Sequence, residues 1–368
     1  MSYKIYTLPE YPCRMDMWDK LASEKRPVVV YGMGNGADKL IARFEKYGIK
    51  IADFFASDGF VRGHEFHGMR VKSFSEIKSD YPEFVIALSF ASSRCEVLEM
   101  LAEINSNFEM YIPDMPVAGE EYFDKDFYNE NYSAILSAYE SLADERSKSI
   151  FAAIINYKLT GKMDYLEGAF SDRFEMYSII KRKEVKAYVD AGAYNGDTLR
   201  EAIENFDTLE RAYLIEPDPK NFKKLLKYIE NIEQISVKTF NAAAWCEGGT
   251  GEFSSGGNRN SSVNSTRSYE NKMTEIPLVA IDEIVDQKID YIKYDVEGAE
   301  YEALVGSDRV IREFSPTLLV SLYHRSRDIF FLINYLAEHY GDRYEFHLAR
   351  LRCVPAWEIN LIAHLKNI

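Results

Sequence analysis

The chain has 368 residues, which at about 100–200 residues per domain is room for two. Hydrophobic residues make up 46% and charged residues 28%, so there is apolar material for two cores and a disordered chain is excluded. Asp and Glu (59) exceed Lys and Arg (44), for a net charge of −15 with no basic stripe, which makes nucleic acid and anionic membranes poor partners overall.

Cys13, Cys95, Cys246 and Cys353 form no CxxC pair, so neither a zinc knuckle nor a disulfide framework is signalled. No apolar run approaches the ~20 residues of a membrane span. The start, MSYKIYTLPEYPCRMDMW, lacks the apolar stretch of a signal peptide. The expected location is a reducing cytoplasm.

Taken in chain order, residues 28–32 (Val-Val-Val-Tyr-Gly) predict a strand. It runs into the turn Gly32-Met33-Gly34-Asn35-Gly36 and a helix to about Tyr47. Further strands are predicted over 49–55, ending near Asp53, Ser57 and Asp58, over 84–89 and over 109–112, with a short extended piece at 68–71 and a helix over 93–104. From about residue 120 to 166 strand runs cease. Tyr132, Ile135, Leu136 and Tyr139, then Ile150, Ala153, Ile154 and Tyr157, recur at helical spacing and predict a helical connector.

The strand, glycine turn and helix then repeat: residues 185–189, the loop Asp190-Ala191-Gly192-Ala193-Tyr194-Asn195-Gly196-Asp197, and a helix from Thr198. Strands over 212–215, 235–240, 289–294 and 317–323 alternate with helices over 220–230, 299–313 and 328–340. Residues 344–351 and 358–365 close the chain as a hairpin around Pro355. Such alternation implies parallel sheets, and the terminal hairpin fits seven strands better than a plain dinucleotide fold. The expected organisation is α/β: a smaller amino-terminal Rossmann-like domain (1–116), a helical connector (117–184) and a carboxyl-terminal domain (185–368).

The acids at strand ends carry the chemical signal. Gly192 and Gly196 permit close approach of a ligand to the backbone, and the next helix points N–H groups at it. A pyrophosphate would disfavour the flanking Asp190 and Asp197, whereas a ligand with an ammonium and a sulfonium, such as S-adenosylmethionine, would welcome them; the plain alternative is a tight turn without a ligand. Glu216, ending the next strand, is placed to accept hydrogen bonds from ribose hydroxyls, or is a solvated loop acid. Asn241-Ala242-Ala243 offers an amide and small residues to flank an adenine. In IDYIKYDVEGAE (289–300), Asp295, Glu297 and Glu300 reach the same edge, and His324 ends the following strand. Helix capping explains part of this; holding a cation, positioning a hydroxyl or general-base chemistry would explain the rest. The polar stretch 254–274, with Arg259, Asn260 and Arg267, is expected to be an acceptor lid or an insertion.

VDAGAYNGDT (189–198), IEPDP (215–219), IDYIKYDVEGAE (289–300) and the late Tyr323-His324 resemble, in order and spacing, the FkbM-type methyltransferases. The likeness covers roughly residues 185 to 365. It implies a class I, seven-stranded Rossmann-like fold, S-adenosylmethionine as methyl donor, and O-methylation of a saccharide, nucleotide-sugar or related hydroxyl. By that likeness Asp190, Gly192, Asn195 and Gly196 would line the methionine side and Glu216 the ribose; Tyr194, Asp197, Pro217, Asn241, Ala242 and Asp295 complete the expected cofactor-binding set. Asp295, Glu297 and His324 would lie at the acceptor, with His324 or Glu297 as base, or a divalent cation on Asp295, Glu297 and Glu300. No HxxH or HExxH spacing marks a dedicated transition-metal site.

The first glycine loop is GxGxG, short of a full dinucleotide fingerprint. With Asp58, Gly63 and Gly68-Met69-Arg70-Val71 it resembles the nucleotide-sugar-binding domain of sugar acyltransferases, and general Rossmann modules too; it is expected to be a degenerate packing module or to grip a nucleotide-linked acceptor. An NAD(P)-dependent oxidoreductase and a non-catalytic binding protein are the competing readings. The sequence leaves the oligomeric state open, a homo-oligomer included.

Overall fold

The computed structural model describes residues 4–61, 63–181, 184–255 and 272–366. The first elements are α1 (Met17–Ser23), β1 (Val28–Tyr31), α2 (Asn35–Tyr47), β2 (Ile51–Ala56), β3 (Glu65–Phe66), β4 (Met69–Arg70), β5 (Lys72–Ser73), α3 (Phe74–Asp80), β6 (Val85–Leu88), α4 (Cys95–Asn107) and β7 (Met110–Tyr111). β1 and β6 are buried at every position, as befits strands covered on both faces. The sheet runs β5-β2-β1-β6-β7 with every pair parallel. The extended piece expected at 68–71 is a small β3–β4 hairpin that leads into the edge strand β5. α1 and α3 carry little periodic pattern and escaped the sequence reading. Their caps are local: Asp16 and Ser73 each accept a backbone N–H in a capping box.

The connector is helical as expected: α5 (Lys125–Glu130), α6 (Tyr132–Ser141), α7 (Glu145–Thr160), α8 (Met163–Glu167) and α9 (Arg173–Ile180). α7 is buried almost all round, so it is a core helix. One apolar cluster joins Val29 and Leu88 of the first sheet through Phe151 and Ile154 of α7 to Ile292 and Leu361 of the second sheet. The buried Lys158 pairs with Asp114 at the junction.

The rest comprises β8 (Ala187–Ala191), α10 (Asp197–Asn205), β9 (Arg211–Ile215), α11 (Pro219–Ile229), β10 (Ser236–Phe240), β11 (Ala243–Ala244), β12 (Gly249–Ser255), β13 (Lys272–Val279), α12 (Ile281–Ile284), β14 (Tyr291–Tyr294), α13 (Glu300–Val305), α14 (Asp308–Phe314), β15 (Thr317–Ser321), α15 (Asp328–Tyr340), β16 (Tyr344–Arg350) and β17 (Ile359–Leu365). Seven strands form one sheet in the order β10-β9-β8-β14-β15-β17-β16. All pairs are parallel except those made by β17, which runs antiparallel to both β15 and β16. The chain leaves β8 in one direction through β9 and β10, then returns on its other side as β14. The order therefore reverses between β8 and β14, and at such a switch point a crevice opens beyond the carboxyl ends of the strands.

One expectation needs correction. The helix read over 299–313 is two helices, because Gly306 lies so close to the Trp245 carbonyl that a Cβ there would collide with it. The polar stretch 254–274 begins and ends on β12 and β13, which pair antiparallel; Arg259, Asn260 and Arg267 lie outside the described residues. Among the described residues no helix is long and apolar enough to cross a membrane.

Candidate active site

β8 carries Asp190 into the switch point and β14 carries Lys293 beside it. The two are register partners on adjacent strands, and their charged atoms stand 3.5 Å apart. Asp190 has no exposed surface and also takes the Thr198 hydroxyl hydrogen bond. Burial raises its carboxyl, against the pull of Lys293. Lys293 reaches Asp295 as well, at 3.3 Å, and the two acids hold its ammonium above its ordinary range despite burial. A charge in each of two central strands is thus satisfied by the other.

Gly192 follows with φ 92°, and a Cβ there would strike the Asp295 carbonyl. The loop after β8 and the loop after β14 therefore touch backbone to backbone, which requires glycine. Tyr194 also has positive φ, and its N–H donates to Glu216 Oε2 at 2.9 Å, while the Asp218 N–H donates to Glu216 Oε1 at 2.9 Å. Two amides thus fix both oxygens of a buried carboxylate, whose pKa burial lifts to about 7. In IEPDP, Asp218 is the N-cap of α11 and Pro219 its first residue, an arrangement that starts the helix abruptly and leaves Glu216 at the rim.

Beyond β14, Asp295 accepts the Tyr323 hydroxyl at 3.1 Å. Burial would raise its carboxyl, but Lys293 and His324 outweigh burial and hold it at about 2. Glu297 sits at φ 55°, left-handed backbone unusual for a side chain of this size. Burial pushes its carboxyl up to about 8. Glu300 Oε1 accepts from the Val296 N–H at 2.9 Å and faces His324 Nδ1 at 2.9 Å. The other ring nitrogen of His324 is 3.5 Å from Asp295 and 3.7 Å from Glu297. Burial alone would lower this imidazole; the three acids overcome it and bring it to about 10.

A cleft of about 280 Å³ occupies the switch point. Gly192, Tyr194, Asp197, Glu216, Pro217, Asp295 and Glu297 line it, as expected. Other expected residues stand back from it. Asp190 is sealed beneath Lys293 and Thr198, and Asn195 and Gly196 shape the loop without lining the cleft; a Cβ at Gly196 would strike Tyr228. Asn241 gives its amide to the Glu216 carbonyl at 2.8 Å, and the wall near it is Ala243 and Ala244 rather than Ala242. His324 has no exposed surface and lies behind the acids. Held protonated there, it is a buried cation rather than a base facing the crevice.

The sequence reading missed the opposite wall. Val117, Arg173, Met176 and Tyr177 come from the connector, and Leu351, Trp357 and Glu358 from the terminal hairpin. No local motif marks them, because the fold alone brings them to the cleft. Lys293 had a signal: a lysine inside the otherwise apolar run of a central strand. The segment before α5 crosses the site as a strap. The Ala118 N–H donates to the His324 carbonyl at 2.8 Å, and Lys39 of α2 donates to the Pro116 carbonyl at 3.0 Å.

A switch-point cleft with buried acids on a seven-stranded mixed sheet is the frame of a methyltransferase, and the comparisons agree. Residues 190–344 match the family model of the methyltransferase FkbM domain. Along nearly its whole length the chain shares its fold with the crystal structure of the FkbM methyltransferase from Methylobacillus flagellatus KT (TM-score 0.67, 19% identity, 98% of this chain and 94% of that one). An rRNA methylase from Streptococcus thermophilus overlaps more loosely (TM-score 0.36, 10% identity, 54% of this chain and 98% of that one). No curated protein matches the sequence.

Proposed function

We propose that the chain is a class I, S-adenosylmethionine-dependent O-methyltransferase acting on a hydroxyl of a saccharide, nucleotide sugar or related small molecule. The observation that carries this reading is Glu216, a buried carboxylate whose two oxygens are aimed by the Tyr194 and Asp218 amides at the edge of an acid-lined switch-point cleft. Each oxygen keeps a lone pair for a ribose hydroxyl. Asp197 and Asp295 favour positive charge over a pyrophosphate, as the sulfonium and ammonium require. When bound, S-adenosylmethionine supplies an electrophilic methyl group.

The chain's own residues do the rest. In-line transfer demands that the acceptor oxygen be held on the axis of the breaking bond and lose its proton. Glu297 is the proton acceptor in this reading, since it lines the cleft where His324 does not. Tyr177 and Trp357 give the facing wall aromatic surface and Arg173 and Glu358 give it charge, a mixture suited to a sugar. The dinucleotide alternative finds less support in the first sheet. Gly32 and Gly36 there serve close packing, for a Cβ at Gly32 would stand 2.7 Å from both Phe90 and Ser89, and one at Gly36 would strike the Ser89 carbonyl.

Calorimetry with S-adenosylhomocysteine and with NAD separates the two readings; heat with NAD alone would overturn the proposal. For the chemistry, Glu297→Gln is expected to lower turnover by about 10²–10⁴. Its affinity for S-adenosylhomocysteine should stay within about threefold. The assay is mass-shift detection over a panel of sugars and nucleotide sugars, and unchanged turnover would remove Glu297 from the reaction.

A further inference from the structure

Behind the cleft wall, Asp295, Glu300 and His324 each bring a ligand atom to one spot, all within 4.8 Å of one another. Glu300 Oε1 is 2.9 Å from His324 Nδ1, and Asp295 Oδ1 is 3.5 Å from Nε2. These are separations at which ligands stand around a cation as well as around a proton. Glu300 Oε2 there is sealed from water and makes no hydrogen bond, while the two ring nitrogens face carboxylate oxygens. Buried polar atoms almost always have a partner, so an unpartnered carboxylate oxygen at this point is a specific observation. His324 is wholly buried, and only Asp295 of the three opens to the cleft.

The surroundings hold the ligands as outer partners hold those of metal sites. The Val296 N–H fixes Glu300, the Tyr323 hydroxyl fixes Asp295 Oδ1, and Lys293 is drawn to Asp295 Oδ2, away from His324. We propose that Asp295, Glu300 and His324 form a divalent cation site whose open side faces the acceptor. Two carboxylates with one imidazole suit Mn²⁺ or Zn²⁺ better than a soft ion. Resting on the methyl-transfer reading of the cleft, the cation's role is to take the acceptor hydroxyl as a ligand and lower its pKa, so that Glu297 receives the proton more readily.

The test is titration of the EDTA-treated full chain with Mn²⁺, followed by the loss of the free-ion electron paramagnetic resonance signal. One saturable site per chain is expected. Asp295→Asn and Glu300→Gln should each weaken it at least tenfold, while Asp286→Asn, an exposed acid elsewhere, leaves it unchanged. Thermal melts check that the variants fold, and Asp295, partly exposed, is the change the fold best tolerates. Absence of a saturable site, or equal affinity in Asp295→Asn, overturns the proposal. S-adenosylhomocysteine titrated into the EDTA-treated chain tests the donor reading separately: heat there with no Mn²⁺ site sinks the cation alone.

Discussion

At Glu216 two demands meet in the proposed reading: the carboxylate must face a ligand, and burial disfavours its charge. Its pKa of about 7, against an ordinary 4.5, measures the conflict. The folded state then binds more protons than the unfolded chain between pH 4.5 and 7. This group's contribution to stability is accordingly full below 4.5 and lost as pH rises through 7. On the proposed function donor binding has the opposite dependence, because protonation uses an oxygen that a ribose hydroxyl needs. Affinity for S-adenosylhomocysteine should rise about three- to tenfold from pH 6 to pH 8, and Glu216→Gln should flatten that profile; an equal slope in the variant would refute the assignment. Gly192 makes a second residue-scale prediction. Alanine there meets both a positive φ and the Asp295 carbonyl, so Gly192→Ala should cost about 2 kcal/mol or more in denaturant melts and remove donor binding.

Among the elements, the central strands were the most legible in the sequence. Apolar runs bounded by glycine loops gave β1, β8 and β14 to within a few residues, and the acids at their ends gave the rim of the cleft. What the sequence concealed depended on contacts between distant segments. Nothing around Gly306 announces that Trp245 crosses there, so α13 and α14 read as one helix. The burial of His324 behind Asp295 and Glu297 was equally invisible, since a residue at a strand end reads as facing the crevice until its neighbours are placed. The sealed face of α7 is another case: its periodicity promised a helix, not one buried nearly all round. Ile154 has no exposed surface, and Ile154→Ala should cost about 2–5 kcal/mol by chemical denaturation. A loss below 1 kcal/mol would mean that α7 does not couple the two sheets.

For the molecule as a whole, that helix decides how separable the halves are. The apolar cluster runs without interruption from the first sheet to the second, so the boundaries expected at residues 116 and 184 divide the sequence more sharply than the core. A fragment of residues 185–368 should expose this surface, lose its near-ultraviolet circular dichroism and aggregate, while the full chain melts in one transition; a monomeric, cooperatively melting fragment would contradict this. The strap has a kinetic counterpart. Because the Ala118 amide is closed by the His324 carbonyl, its hydrogen can reach deuterated solvent only when this bond opens. The exchange rate of that single amide is thus a clock for the breathing of the cleft, readable in the unliganded protein, and occupancy of the cleft should slow it.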